Sequence, residues 1–242
     1  MTVDGVLQLS EDDSNATATF NFSGGTLSVY STQKGARTLV PEVAHFNWTG
    51  GTLHPDIFGL DLVQDNDNSE DNLSVLAPGR SIGWTDIAGD YTMHSNSTTN
   101  DPSTLEIEIN SRDQGDRGMN PVDPGDLLGD GFGYDFVMVH GDATLDGDLL
   151  VLLIDGYAPN VGDYFDVLQT TGDLDFTGLT LTGDLAGAHT WSMQHIALAN
   201  GDSALRLTAV PEPSGVLLAG LGLLALLGYA WRKRFAAATR RR

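Results

Sequence analysis

Cysteine is absent from the 242 residues, which excludes disulfide frameworks, thiolate nucleophiles and every cysteine-based zinc or iron–sulfur site. Positive charge is scarce as well. Twelve Lys and Arg stand against 33 Asp and Glu, a formal net charge of −21. Half of the cations lie at one end: residues 211–242 hold six basic residues and one Glu, a net +5. The other 210 residues hold six basic and 32 acidic residues, a net −26. Such a body repels phosphate backbones and offers no basic stripe, so nucleic acid is excluded as a partner. Amphipathic helical stretches are missing too, because no part of residues 1–210 sustains an apolar period of 3.6. The histidines at 45, 54, 94, 140, 189 and 195 never form His-x-x-x-His. Neither a Gly-x-Ser-x-Gly elbow nor a phosphate-binding glycine loop occurs.

What the body does have is Gly-Asp, ten times between Gly89-Asp90 and Gly201-Asp202, separating short runs of Val, Ile, Leu, Thr and Phe. Glycine permits positive φ and Asp closes local side-chain turns, so these dipeptides mark turns between short strands. Apolar–polar alternation is plain at residues 17–22 and 104–109. Leu149-Leu150-Val151-Leu152-Leu153-Ile154 is apolar throughout and bounded by turn dipeptides, which predicts a strand buried on both faces. The body reads as all-β.

One repeat is visible. Phe20-Asn21-Phe22-Ser23-Gly24-Gly25-Thr26-Leu27 returns 26 residues later as Phe46-Asn47-Trp48-Thr49-Gly50-Gly51-Thr52-Leu53, with six of eight positions identical. That period predicts rungs of a β-solenoid, a right-handed β-helix-like stack, over residues 1–75. Two sandwich hairpins sharing a favoured turn are the alternative. The opening residues have neither a basic n-region nor an apolar h-region. Two rungs starting so early lead to the expectation of an N-terminally incomplete fragment.

The C-terminal segment, 210–242, differs in composition. Pro211-Glu212-Pro213 leads into an uncharged stretch that ends at Trp231, and Arg232-Lys233-Arg234 follows at once. A helix over 214–231 would approach the roughly 30 Å of a bilayer core. It is expected to be a single transmembrane helix. The basic cluster would act as its stop-transfer signal and leave the body outside the cytoplasmic membrane.

This three-part order resembles the PEP-CTERM sorting signal of Gram-negative bacteria. The resemblance implies recognition of Pro211, Glu212 and Pro213 by an exosortase-type processing enzyme. It also implies a cell-envelope precursor that ends at the cell surface or in the extracellular matrix, associated with exopolysaccharide. Two prolines remove backbone donors, which predicts that this segment stays out of any strand. A second Arg cluster at 240–242 departs from the usual ending. Over 76–209, segments such as Leu76-Ala77-Pro78-Gly79 and Val161-Gly162-Asp163-Tyr164-Phe165 resemble the β-rich C-terminal cap of autotransporter-like solenoid passengers.

No catalytic or metal-binding residue is assigned, and no cofactor is expected. Asp65-Asn66-Asp67-Asn68-Ser69-Glu70-Asp71 opens like an EF-hand loop, but Glu70 stands at the turn glycine and Leu76 at the bidentate Glu. A solvated acidic loop is the reading, with weak Ca²⁺ binding as the alternative. Residues 131–137 match most of one Ca²⁺-binding nonapeptide, in a single copy. Glu106 and Glu108 share one face of a strand and read as its wet side rather than a glycosidase pair. Trp48, Trp84 and Trp191 read as packing residues before sugar-stacking ones. Asn47-Trp48-Thr49 matches a glycosylation acceptor, at a frequency chance explains. A non-enzymatic surface protein is therefore expected. The alternative is a polysaccharide-active enzyme or carbohydrate-binding module on a β-helix scaffold.

Overall fold

The computed structural model describes residues 2–8, 18–33, 44–65, 73–79, 82–95, 102–114, 132–184, 189–211, 223–227 and 229. The first half of the chain contributes β1 (Thr2–Gln8), β2 (Ala18–Gln33), β3 (Ala44–Phe58), β4 (Leu62–Gln64), β5 (Ser74–Leu76), β6 (Trp84–Ile87), β7 (Tyr91–Met93) and β8 (Thr104–Gln114). The second half adds β9 (Phe132–Tyr134), β10 (Phe136–Val139), β11 (Ala143–Leu153), β12 (Tyr164–Thr170), β13 (Leu174–Gly183), β14 (His189–Ala197) and β15 (Ser203–Pro211). All fifteen belong to one sheet. The all-β reading of the body agrees with this.

Most neighbours in the sheet are parallel, and the repeat shows why. β2 lies on β3 with Phe20 opposite Phe46, Asn21 opposite Asn47 and Leu27 opposite Leu53. The like rings stack, with the Phe20 and Phe46 centroids 5.5 Å apart. At the shared Gly-Gly, a Cβ on Gly51 would stand 2.6 Å from the Gly25 carbonyl oxygen, and Gly51 has φ +90°. Only glycine meets both conditions. The leucine row continues through Leu76 on β5, Leu105 on β8, Leu149 on β11 and Leu181 on β13. Leu53, Leu76, Leu105 and Leu149 are fully buried, and each such burial contributes on the order of 2 kcal/mol.

Buried polar groups are matched inside this core. Gln64 Nε2 donates to the carbonyls of Ser74 (2.8 Å) and Thr104 (2.9 Å), and Tyr91 Oη donates to Gln64 Oε1 at 2.6 Å. Ser74 Oγ donates to Ser103 Oγ at 2.9 Å. Four different stretches of chain are thereby tied together away from water.

Several expectations need correction. The leucine row advances by 26, 23, 29, 44 and 32 residues in turn, so the 26-residue period does not continue. The sheet ends in an antiparallel run, β12–β15–β14, and β9 pairs antiparallel with β8. One mixed fifteen-stranded sheet replaces the expected solenoid with a separate cap. The C-terminal transmembrane helix is corrected too. Of 214–231, residues 223–227 and 229 are helical and exposed, and the others lie outside the described residues. Five residues rise only about 8 Å, and no helix among the described residues is long and apolar enough to cross a membrane. In β11, Leu149 and Val151 are buried while Leu150 and Leu152 are half-buried. That strand is covered fully on one face rather than two.

Candidate functional site

Strand β15 carries the chain to the C-terminal segment and is held on both sides. Phe165 faces Leu207 across β12, and Trp191 faces Ala209 across β14. The β12 side is locked by charge: Arg206 Nε and Nη2 donate to the two carboxylate oxygens of Asp166 at 2.6 and 2.9 Å. The guanidinium also lies 4.0 Å from the Tyr164 ring centroid. The Asp166 carboxylate beside it pushes the Arg206 pKa further up.

Pro211 is the last residue of β15, opposite His189 and exposed. The expectation that this proline stays out of strands is corrected, because a terminal ladder position tolerates a missing donor. The strand therefore delivers the chain to the surface where the proline–glutamate–proline sequence begins. Glu212, Pro213, Arg232, Lys233 and Arg234 lie outside the described residues.

The second feature is an open cleft of about 750 Å³ over the N-terminal repeat. Along β3 the alternating residues His45 and Asn47 point outward and line it, with Asn21 beside them. Asn47 Nδ2 donates to Asn21 Oδ1 at 2.9 Å, so the two repeat asparagines form one amide ladder. Residues 59–65, whose strand β4 pairs with β3 at Trp48 and Gln64, continue the lining beside β3 with Leu60, Asp61, Val63 and Asp65. Phe46 and Trp48 border it from the core. Sequence reasoning found this repeat as a structural period and missed the cleft.

Asp61 also begins a ladder of carboxylates. The Asp90 amide donates to Asp61 Oδ1 (3.1 Å), the Asp142 amide to Asp90 Oδ1 (2.8 Å), and the Asp173 amide to Asp142 Oδ1 (2.8 Å). In return, Leu62 N–H donates to the Asp90 carbonyl, Tyr91 N–H to that of Asp142, and Ala143 N–H to that of Asp173. The preceding glycines, Gly89, Gly141 and Gly172, have no room for a Cβ, because the previous Asp Oδ1 occupies the place. Three of the Gly-Asp dipeptides are thus stacked joints as well as turns. The signal was present as Gly-Asp followed by a strand, but which turns stack was not.

Other candidates separate. Glu106 and Glu108 flank buried Ile107 and face outward on β8, as alternation predicts, and neither lines the cleft. Burial first, and then the negative charge of Glu106, raises the Glu108 carboxyl above its ordinary range. Of the acidic loop only Asp65 is described, and 66–71 lie outside. Within 131–137, Asp135 is 1% exposed and accepts from the Gly83 amide (2.7 Å) and the Glu108 amide (2.8 Å). From between β9 and β10 it ties the entry to β6 and the middle of β8 through their backbone N–H groups. Trp48 and Trp191 are core residues whose indole N–H groups donate to the Gly51 and Asp184 carbonyls, while Trp84 is half-buried against Phe136. Among the described residues, no group of three or more His, Asp or Glu is arranged to hold a metal ion.

Residues 209–234 match the family model of the PEP-CTERM protein-sorting motif. No curated protein matches the chain. The match spans the last residues of β15 and the segment that follows, and it concerns that part of the chain alone.

Proposed function

We propose that this chain is an exported, non-enzymatic cell-surface protein associated with exopolysaccharide, whose C-terminal segment is read and cut by an exosortase-type enzyme. The observation that carries the reading is the sorting motif at 209–234. The position of Pro211 supports it: an exposed strand end supplies an extended peptide, the shape peptidases generally take, with Glu212 as a charged mark beside it. The acidic body, carrying six cations among 210 residues, suits a solvated surface role better than a lyase site, which needs a base grouped with carboxylates.

The test is processing. Placed behind an export leader in a host with an exosortase system, the released protein should lack the tryptic peptide 235–240. Changing Pro211 and Glu212 together to Ala should block that loss while leaving the β-sheet circular dichroism unchanged. Recovery of peptide 235–240 from released wild-type material overturns the reading.

A further inference from the structure

We infer that the cleft over the N-terminal repeat binds an uncharged hexose polymer. This deepens the surface reading above and rests on its association with polysaccharide. The volume, about 750 Å³, falls within the about 300–1,000 Å³ usual for ligand clefts. Its walls combine the two surfaces a sugar ring requires. One wall is polar: Asn21, Asn47 and His45 stand side by side on β2 and β3. A side-chain amide has two donors and an oxygen with two lone pairs. After the single Asn47–Asn21 bond, both amides retain capacity to donate to and accept from hydroxyls. The bond also fixes their orientation, which lowers the ordering cost of recognition. Beside this row, the paired segment 59–65 adds apolar surface from Leu60 and Val63, alternating with Asp61 and Asp65, and Val63 is 43% exposed. A pyranose presents hydroxyl edges to the amide row and a C–H face to Val63 and Leu60.

Charge decides the kind of sugar. Asp61 lines the cleft, and Asp90, Asp142 and Asp173 continue from it along the same ladder. Within a body of net charge −26, this row gives a negative potential that repels uronates, sulfates and phosphates. Asp61 Oδ1 is committed to the Asp90 amide, and its second oxygen accepts a hydroxyl without needing a cation. The repeat therefore serves two ends: its Phe and Leu positions build the core, and its Asn position faces the glycan.

Affinity electrophoresis of the full chain through gels containing dextran, laminarin, galactomannan, polygalacturonate or chitosan tests this. At least one of the first three should retard the chain equally at low and high salt, and polygalacturonate should not. Asn21→Ala with Asn47→Ala should weaken that retardation at least tenfold, and Val63→Asp, at an exposed position, should do the same independently. Thermal unfolding verifies that each variant is folded. Retardation by polygalacturonate, salt-sensitive retardation by chitosan alone, no retardation by any neutral polymer, or folded variants that bind like wild type overturns the inference. Loss of peptide 235–240 is read separately, so the sorting reading and the glycan site stand or fall apart.

Discussion

The Asp142 amide donates to Asp90 Oδ1 at 2.8 Å across 52 residues of sequence. The same joint links Asp61 with Asp90 and Asp142 with Asp173, over 29 and 31 residues. A side chain here does work usually left to the backbone. Each carboxylate accepts from the amide of the Asp just before the stacked strand, and the glycine before that Asp leaves the carboxylate its space. Fold and surface charge are thereby coupled, since the row that holds the turns together also sets the field near the cleft.

Gly141→Ala should be destabilising by about 2 kcal/mol, because its methyl group collides with the Asp90 carboxylate. Asp90→Ala alone loses a bond to an exposed carboxylate, about 1 kcal/mol. The double variant should cost less than the two singles together, because the closest contact of the methyl is then gone and only the Asp90 N and Gly89 C contacts at 3.0 Å remain. Urea unfolding of all four proteins measures this. Additive costs would remove the steric account of the ladder.

Tyr91→Phe should cost about 1–3 kcal/mol, since it leaves the buried Gln64 Oε1 without the hydroxyl that donates to it at 2.6 Å. The neighbouring bonds from Gln64 Nε2 hold that amide in place and prevent it from turning to find another donor. Thermal unfolding should therefore show a lowered midpoint without altered strand content. An unchanged midpoint would mean that the network is not closed.

The 26-residue repeat was legible because identical residues sit on identical partners, Phe20 on Phe46 and Leu27 on Leu53. Past Leu53 the stacking persists while the interval varies, and the residues in register are merely apolar. Nothing in sequence distinguishes Leu105 meeting Leu149 from any other leucine pair. The mixed sheet escaped prediction for that reason. Asp135 shows a second kind of failure. Its segment, 131–137, matches a calcium nonapeptide in one copy only, and nothing in it points to its partners Gly83 and Glu108, 52 and 27 residues away. The sorting motif was readable because its three parts are contiguous. Its relation to β15 was not, since a proline at the very end of a strand breaks no ladder bond.

The pH dependence of stability should carry the mark of Asp135. Burial, followed by the charges of Glu108 and Glu106, raises its carboxyl well above the ordinary range, against the lowering effect of its two amide bonds. Folding therefore favours the protonated form. That contribution is fully present below the unfolded value of about 3.9 and is lost as pH rises through the folded value. Stability should decline from about pH 4 upward, and Asp135→Asn should flatten the decline. Glu108 and Asp148, also raised by burial, leave a residual slope in the variant. Equal slopes in chemical denaturation at several pH values would show that Asp135 does not titrate in this window.

Arg206→Ala should loosen the end of the sheet that leads to the sorting segment. The side chain makes two bonds to Asp166 and covers the Tyr164 ring. Both ions are mostly buried, with 23% and 16% of their side chains exposed, so solvent screening is partial. The loss should be about 1–2 kcal/mol. It should also be local, because β14 reaches the rest of the sheet through β15, and β15 through β12. Hydrogen exchange should accelerate over residues 189–211 and stay unchanged over β2 and β3, which share no strand partner with this end. Arg206→Lys keeps the charge but not the two-pronged geometry, and should fall between wild type and the alanine variant. If the lysine variant protects 189–211 as fully as arginine does, charge alone suffices. If exchange rises everywhere in the alanine variant, the antiparallel end is part of the cooperative core rather than a separable lead into the C-terminal segment.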